Sequence, residues 1–277
     1  MRRLALSLFA AMCLAAFPMV ASAEAAPTTV LFVGGYGSDL ATVGAAFAPL
    51  RRALASNAPA TQFAQFSYTG WDAQSCAPRS YQGSDTAQDF ESSKRLLLET
   101  IYLLHTQCGA QRIVVVGHSL GGLVAFQALS DNPMGEVSDV VTIDSPLGGV
   151  PDSELHLCIE TGLCASGPVA GVLSDLYTNW DATAQANAAR VSRLASAGIR
   201  VTAWGNEGDC LYDPSRCVPR GSFQLTTADA RDTQWLGIER AMRRDTTSPT
   251  LTLGSVLNSH QVLLSSAAAD IAADLLA

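Results

Sequence analysis

The stretch Ile113-Val114-Val115-Val116-Gly117-His118-Ser119-Leu120-Gly121-Gly122 decides the fold. Its first four residues form a continuous apolar run of the kind that a strand buried on both faces requires. Gly117, Ser119 and Gly121 then place a serine between two glycines at the point where strand pattern gives way to helix pattern. A turn tight enough to lift a serine hydroxyl above a sheet leaves no room for side chains two positions before and two after it. Gly117 and Gly121 meet that need, so the segment reads as a nucleophile elbow with Ser119 at its apex. A plain glycine-rich turn would account for the glycines but not for the serine.

On either side of the elbow, strand and helix patterns alternate. Thr29 to Val33 is a short β-branched run that ends in Gly34-Gly35-Tyr36-Gly37, and Ser38 is placed to cap an alanine-rich helix through about Ser56. Thr61 to Tyr68 alternates like a strand. After a polar and aromatic loop from Thr69 to Ser84, a helix is predicted from Thr86 to Gln107, with Phe90, Leu97, Ile101 and Leu104 on its buried face. A second helix is predicted from Ser119 to Ser130, then a buried strand from Asp139 to Ile143. Further along come strand character from Ile199 to Trp204 and a closing helix from Ser265 to Leu276. Parallel strands joined by helical crossovers are the economical topology. The looser stretch 145–197 reads as an insertion covering the C-terminal edge of the sheet.

The 277 residues are 48% hydrophobic and 15% charged, enough apolar material for a sizeable core. Net charge is −8 and Lys94 is the only lysine. No basic stripe is available for a phosphate backbone, which argues against a nucleic-acid partner. Arg2 and Arg3 precede an apolar run that closes on Ala21-Ser22-Ala23, the pattern of a secretory signal over residues 1–23. An uncleaved anchor is the rival reading, and Pro18 with the small-residue exit favours cleavage, which leaves one domain over 24–277 and no stable membrane insertion. Removing Cys13 with the signal leaves six cysteines bound for an oxidising compartment. Cys158 with Cys164 and Cys210 with Cys217 are each close in sequence, which leaves Cys76 with Cys108. Zinc-ligand spacing is absent, so no metal site is expected.

A serine nucleophile needs a base. His118 flanks the nucleophile, His105 precedes the elbow in a helix and His156 lies in the insertion. His260, late in the chain ahead of the last helix, is therefore the candidate base. The acid that orients it should follow a strand between serine and histidine, which favours Asp209 after Ile199–Trp204; Glu207 and Asp144 are its rivals. A tetrahedral oxyanion needs two N–H donors. Leu120, after the nucleophile, offers one. Tyr36 is the first choice for the other and Gly35 the second.

Four segments resemble secreted bacterial α/β-hydrolases of the lipase and esterase superfamily: residues 30–37, 117–122, 142–149 and 259–263. The resemblance implies an α/β-hydrolase fold, with a mostly parallel central sheet, helices on both faces and a cap-like insertion. It also implies a secreted serine hydrolase acting on carboxylic esters or lipids, acting as a monomer without a cofactor. Gly34 stands where such enzymes often carry a histidine before the oxyanion-loop glycine, which leaves the second donor open. Trp71, Tyr81 and Leu147 are candidates to line the substrate site. Acyl transfer, thioester or peptide hydrolysis would use the same residues, and a noncatalytic binding protein of this fold is the alternative outside enzymes.

Overall fold

The computed structural model describes residues 27–143, 145, 147, 180–206, 239–243 and 268–276. The proposed signal, the 148–179 part of the expected insertion, Glu207, Asp209, His260, Asp144 and the cysteines at 158, 164, 210 and 217 lie outside them. Among the described residues no helix is long and apolar enough to cross a membrane.

Among the described residues six strands form the main sheet: β1 (Thr28–Val33), β2 (Gln62–Gln65), β5 (Arg112–His118), β6 (Val137–Ile143), β7 (Arg200–Asn206) and β8 (Glu239–Arg243). Their order is β2-β1-β5-β6-β7-β8, and every neighbouring pair is parallel. A small antiparallel hairpin, β3 (Trp71–Asp72) with β4 (Ala77–Pro78), stands apart. Parallel pairing needs crossovers. These are α1 (Leu40–Ala46) with α2 (Ala48–Asn57), α3 (Phe90–Thr106), α4 (Leu120–Asp131) and α5 (Trp180–Ser196), and the chain closes on α6 (Ala268–Leu276).

Side chains alternate across the strands, so the sheet has two apolar faces. Leu31, Val33, Ile113, Val115, Val140, Val201 and Ala203 share one core with α3, α4 and α5. Val30, Phe32, Val114, Val116, Val141, Ile143 and Trp204 share the other with α2 and α6. α4 is buried along nearly its whole length, because β5 and β6 lie beneath it and α3 and α5 flank it. Phe90, Leu97, Ile101 and Leu104 form the buried face of α3 as their spacing predicts.

The structure corrects several local expectations. Ser38 does not cap the first helix: Asp39 accepts from the Thr42 N–H at 2.7 Å, and the Asp39 N–H donates to Thr42 Oγ1 at 2.8 Å. That helix also breaks at Phe47, and Pro49, which cannot donate an N–H, sits in the first turn of α2. The helix expected from Thr86 starts at Phe90 under an Asp89 cap, after a 3₁₀ turn over Gly83–Ala87. Residues 180–196, assigned above to the covering insertion, form instead the crossover helix α5 leading into β7. The strand β8 was not anticipated. Cys76, in the turn between β3 and β4, is joined to Cys108 after α3, with 5.7 Å between their Cα atoms.

Candidate active site

All six strands of the sheet run the same way, so Val33, His118, Ile143 and Asn206 end at one edge. That is where ligands bind in open α/β sheets. Ser119 leaves β5 with φ of 53° and ψ of −127°, a left-handed conformation that costs a non-glycine residue about 1–3 kcal/mol. The surroundings hold it there. Ser119 N–H donates to the Ile143 carbonyl at 2.9 Å, and the Ser119 carbonyl accepts from Gly122 N–H at 3.1 Å.

The glycine spacing has a direct steric cause. A Cβ on Gly117 would stand 2.5 Å from Gly122 N and 2.6 Å from Gly121 C, while one on Gly121 would strike the Gly34 and Val33 carbonyl oxygens. A Cβ on Gly122 would collide with the Ser145 hydroxyl. Both the elbow and the neighbouring strand ends therefore demand these glycines.

Gly35 lies against Ser119. A Cβ there would be 2.9 Å from Ser119 Cβ, 3.2 Å from the His118 carbonyl oxygen and 3.4 Å from Ser119 Oγ. The loop after β1 thus packs its Gly35 backbone directly against Ser119. Leu120 is the first residue of α4, where N–H groups lack intrahelical acceptors and the helix dipole favours negative charge. Tyr36 is 51% exposed, so its side chain stands in solvent at the mouth of this region.

Trp71, Tyr81 and Leu147 are all buried in the core that also contains Leu120. Trp71 lines a groove along the β2 edge with Phe32, Phe47, Phe63 and the Cys76–Cys108 bridge, and no residue of the elbow or of the Gly34–Gly37 loop lines that groove. Tyr81 places its hydroxyl 3.3 Å from Ser38 Oγ, in the turn that follows Gly35. Leu147 follows the end of β6, and its carbonyl accepts from the buried Asn187 amide of α5 at 2.6 Å. His105 Nδ1 lies 2.7 Å from the Ala110 carbonyl oxygen, before the start of β5 and so at the opposite end of that strand from Ser119.

Sequence reasoning missed Tyr68, Thr86, Ser145 and Asn187. Tyr68 and Thr86 bond to the Gly34–Gly37 loop and Asn187 to Leu147 across elements, while Ser145 bonds the Ile143 carbonyl two residues before it. The one available signal was the tyrosine that closes the predicted strand at residues 61–68.

Residues 27–154 match the PGAP1-like alpha/beta domain. No curated protein matches the chain by sequence. Among solved structures similar to it, a gene product of Listeria innocua aligns with a TM-score of 0.50 at 12% identity, over 88% of this chain and 90% of its own. A lipase-esterase related protein of Clostridium acetobutylicum has a TM-score of 0.49 at 13% identity, covering 91% and 94%. The 2-hydroxy-6-oxo-6-phenylhexa-2,4-dienoate hydrolase of a Rhodococcus strain has a TM-score of 0.48 at 15% identity, covering 91% and 89%. With its strand order and parallel sheet, the chain has the α/β-hydrolase fold.

Proposed function

We propose that the chain is a secreted serine hydrolase that cleaves carboxylic esters, with Ser119 as nucleophile, His260 as base and Asp209 as the group that orients it. The observation that carries this reading is the left-handed Ser119 at the end of a buried strand, with Gly35 packed against its side chain. A residue held in such a conformation at a strand-to-helix turn is stored strain with a use. β7 ends at Asn206, three residues before Asp209 and on the same sheet edge as Ser119. His105 is engaged at the opposite end of β5, which supports His260 as the base. The bridge between Cys76 and Cys108 suits an oxidising compartment and supports cleavage of a signal near Ala23.

In the reaction, Ser119 Oγ attacks the ester carbonyl as its proton passes to His260. The carbonyl electrons move onto oxygen, where the Leu120 N–H and an N–H of the Gly35–Tyr36 region receive the charge. Collapse breaks the C–O bond to the alcohol, which leaves with the proton from His260. Water then repeats the sequence on the acyl-Ser119 and releases the acid. No metal or organic cofactor takes part.

A fluorophosphonate should attach to Ser119 in the folded protein, and a chain-length series of activated esters should be hydrolysed by wild type and not by Ser119→Ala. Labelling of a different serine, or full turnover in Ser119→Ala, overturns the proposal.

A further inference from the structure

In a trans peptide the C=O and the following N–H point in opposite directions, so whatever holds a carbonyl also aims the next residue's N–H. Two consecutive carbonyls of the oxyanion loop are held by hydroxyls. The Gly34 carbonyl accepts from the buried Tyr68 hydroxyl at 2.7 Å. The Gly35 carbonyl accepts from Ser38 Oγ at 2.7 Å and from Ser38 N–H at 3.3 Å.

Each hydroxyl is itself fixed. A serine has one proton to give, and Ser38 gives it to Gly35, so at 3.3 Å the Tyr81 hydroxyl is the donor to Ser38 Oγ. Tyr81 and Tyr68 pack with ring centroids 5.5 Å apart, and Phe66 meets Tyr68 edge to face at 4.9 Å. Beyond Tyr36, the Gly37 N–H donates to Thr86 Oγ1 at 2.8 Å, and Thr86 donates in turn to the Gly83 carbonyl at 2.6 Å. Gly37 has φ of 74°, and its carbonyl oxygen stands 2.6 Å from where a Cβ on Gly83 would be. Burial raises the pKa of both phenols, Tyr68 with a further push from Tyr81. They therefore remain donors throughout the working pH range.

We propose that Tyr68 and Ser38, with Tyr81 behind Ser38, are positioning residues that hold the Gly34–Gly35 and Gly35–Tyr36 peptides so that the Tyr36 N–H faces the tetrahedral oxygen formed on Ser119. The oxyanion hole is thus set before substrate arrives. The inference rests on the hydrolase reading above and adds residues that never touch the substrate.

The test uses the full mature chain with Ser38→Ala, Ser38→Thr and Tyr68→Phe, and Ser56→Ala as control, since Ser56 makes a similar hydroxyl-to-carbonyl bond on the exposed face of α2. In Ser38→Ala, kcat on an activated ester should fall about 10-fold to 100-fold with KM within about twofold, as expected when a transition-state interaction is lost. Affinity for a trifluoromethyl ketone, which forms an anionic hemiketal on Ser119, should weaken in parallel. Ser38→Thr should recover most of both and Ser56→Ala should match wild type. Ser38 is half-exposed, so its variants report even if Tyr68→Phe fails to fold. Wild-type kcat and ketone affinity in Ser38→Ala, a change in KM alone, or a loss of kcat with unchanged ketone affinity overturns the proposal. Hydrolysis that does not depend on Ser119 overturns the hydrolase reading and this inference with it. Hydrolysis that depends on Ser119 but ignores Ser38 overturns this inference alone.

Discussion

The Ser145 hydroxyl occupies the space that a Cβ on Gly122 would need, and from there it donates to the Ile143 carbonyl at 3.2 Å. The same carbonyl receives the Ser119 N–H at 2.9 Å. The elbow and the end of β6 are therefore one packed unit.

Gly122→Ala should cost about 1–3 kcal/mol of stability, as overpacked sites do, and should lower turnover by displacing the elbow. Adding Ser145→Gly should restore part of both losses. Urea denaturation of the two single variants and the double variant measures the coupling, and strictly additive losses would show that the two residues do not share that space.

Gly35→Ala pushes a methyl to 2.9 Å from Ser119 Cβ. The expected result is a fall in kcat of about 100-fold from a misplaced loop or nucleophile, with a melting temperature close to that of wild type. Unchanged steady-state kinetics on an activated ester would remove the loop from the catalytic site.

Asp209→Asn should reduce kcat by several powers of ten through loss of histidine orientation, roughly 10⁴-fold in a triad, whereas Glu207→Gln should stay near wild type. His260→Ala should add nothing to Ser119→Ala, because the residues act as a unit. If Glu207→Gln proves the severe variant, the acid is Glu207.

Asp139 is buried between Arg200, at 2.7 Å, and Arg112, at 3.1 Å. Burial raises its pKa, but bonds from Ser138, Arg200 and Arg112 outweigh that and leave it below the usual carboxylate value. A depressed folded-state pKa means stability that is fully present above the unfolded value of about 3.9 and is lost as pH falls through the folded one. Asp139→Asn should destabilise by about 2 kcal/mol at pH 7, since both arginines are partly solvated, and should flatten the acid limb of the stability profile. An unchanged acid limb in thermal melts between pH 2 and 5 would refute this.

Reducing the Cys76–Cys108 bridge, or replacing both residues by Ser, frees a loop with a sequence separation of 32. The chain-entropy model gives a loss of about 3–4 kcal/mol. Thermal melts with and without reductant measure it, and a double-serine variant that melts with the wild type would sink the estimate.

Local sterics wrote the elbow into the sequence. Gly117, Ser119 and Gly121 act over five residues, and the β-branched apolar run before them reads as a buried strand, so the parallel α/β architecture followed. The periodicity of α3 was equally legible, since one buried face follows from spacing along one helix. Caps and breaks were less so: Ser38 and Asp39 are equally good capping residues by type, and only the position of the Gly35 carbonyl draws the Ser38 hydroxyl away from the helix. Only the tertiary structure shows that Trp71 lines a groove along the β2 edge beside the Cys76–Cys108 bridge. What the sequence determined by itself is the set of contacts that need only neighbours in the chain. The tertiary structure decided which residues brace the loops around Ser119: Tyr68 reaches Gly34 across 34 positions, and Asn187 reaches Leu147 across 40. Those partners are chosen by the lateral order of strands and helices, and hydrophobic periodicity along the chain carries no record of that order.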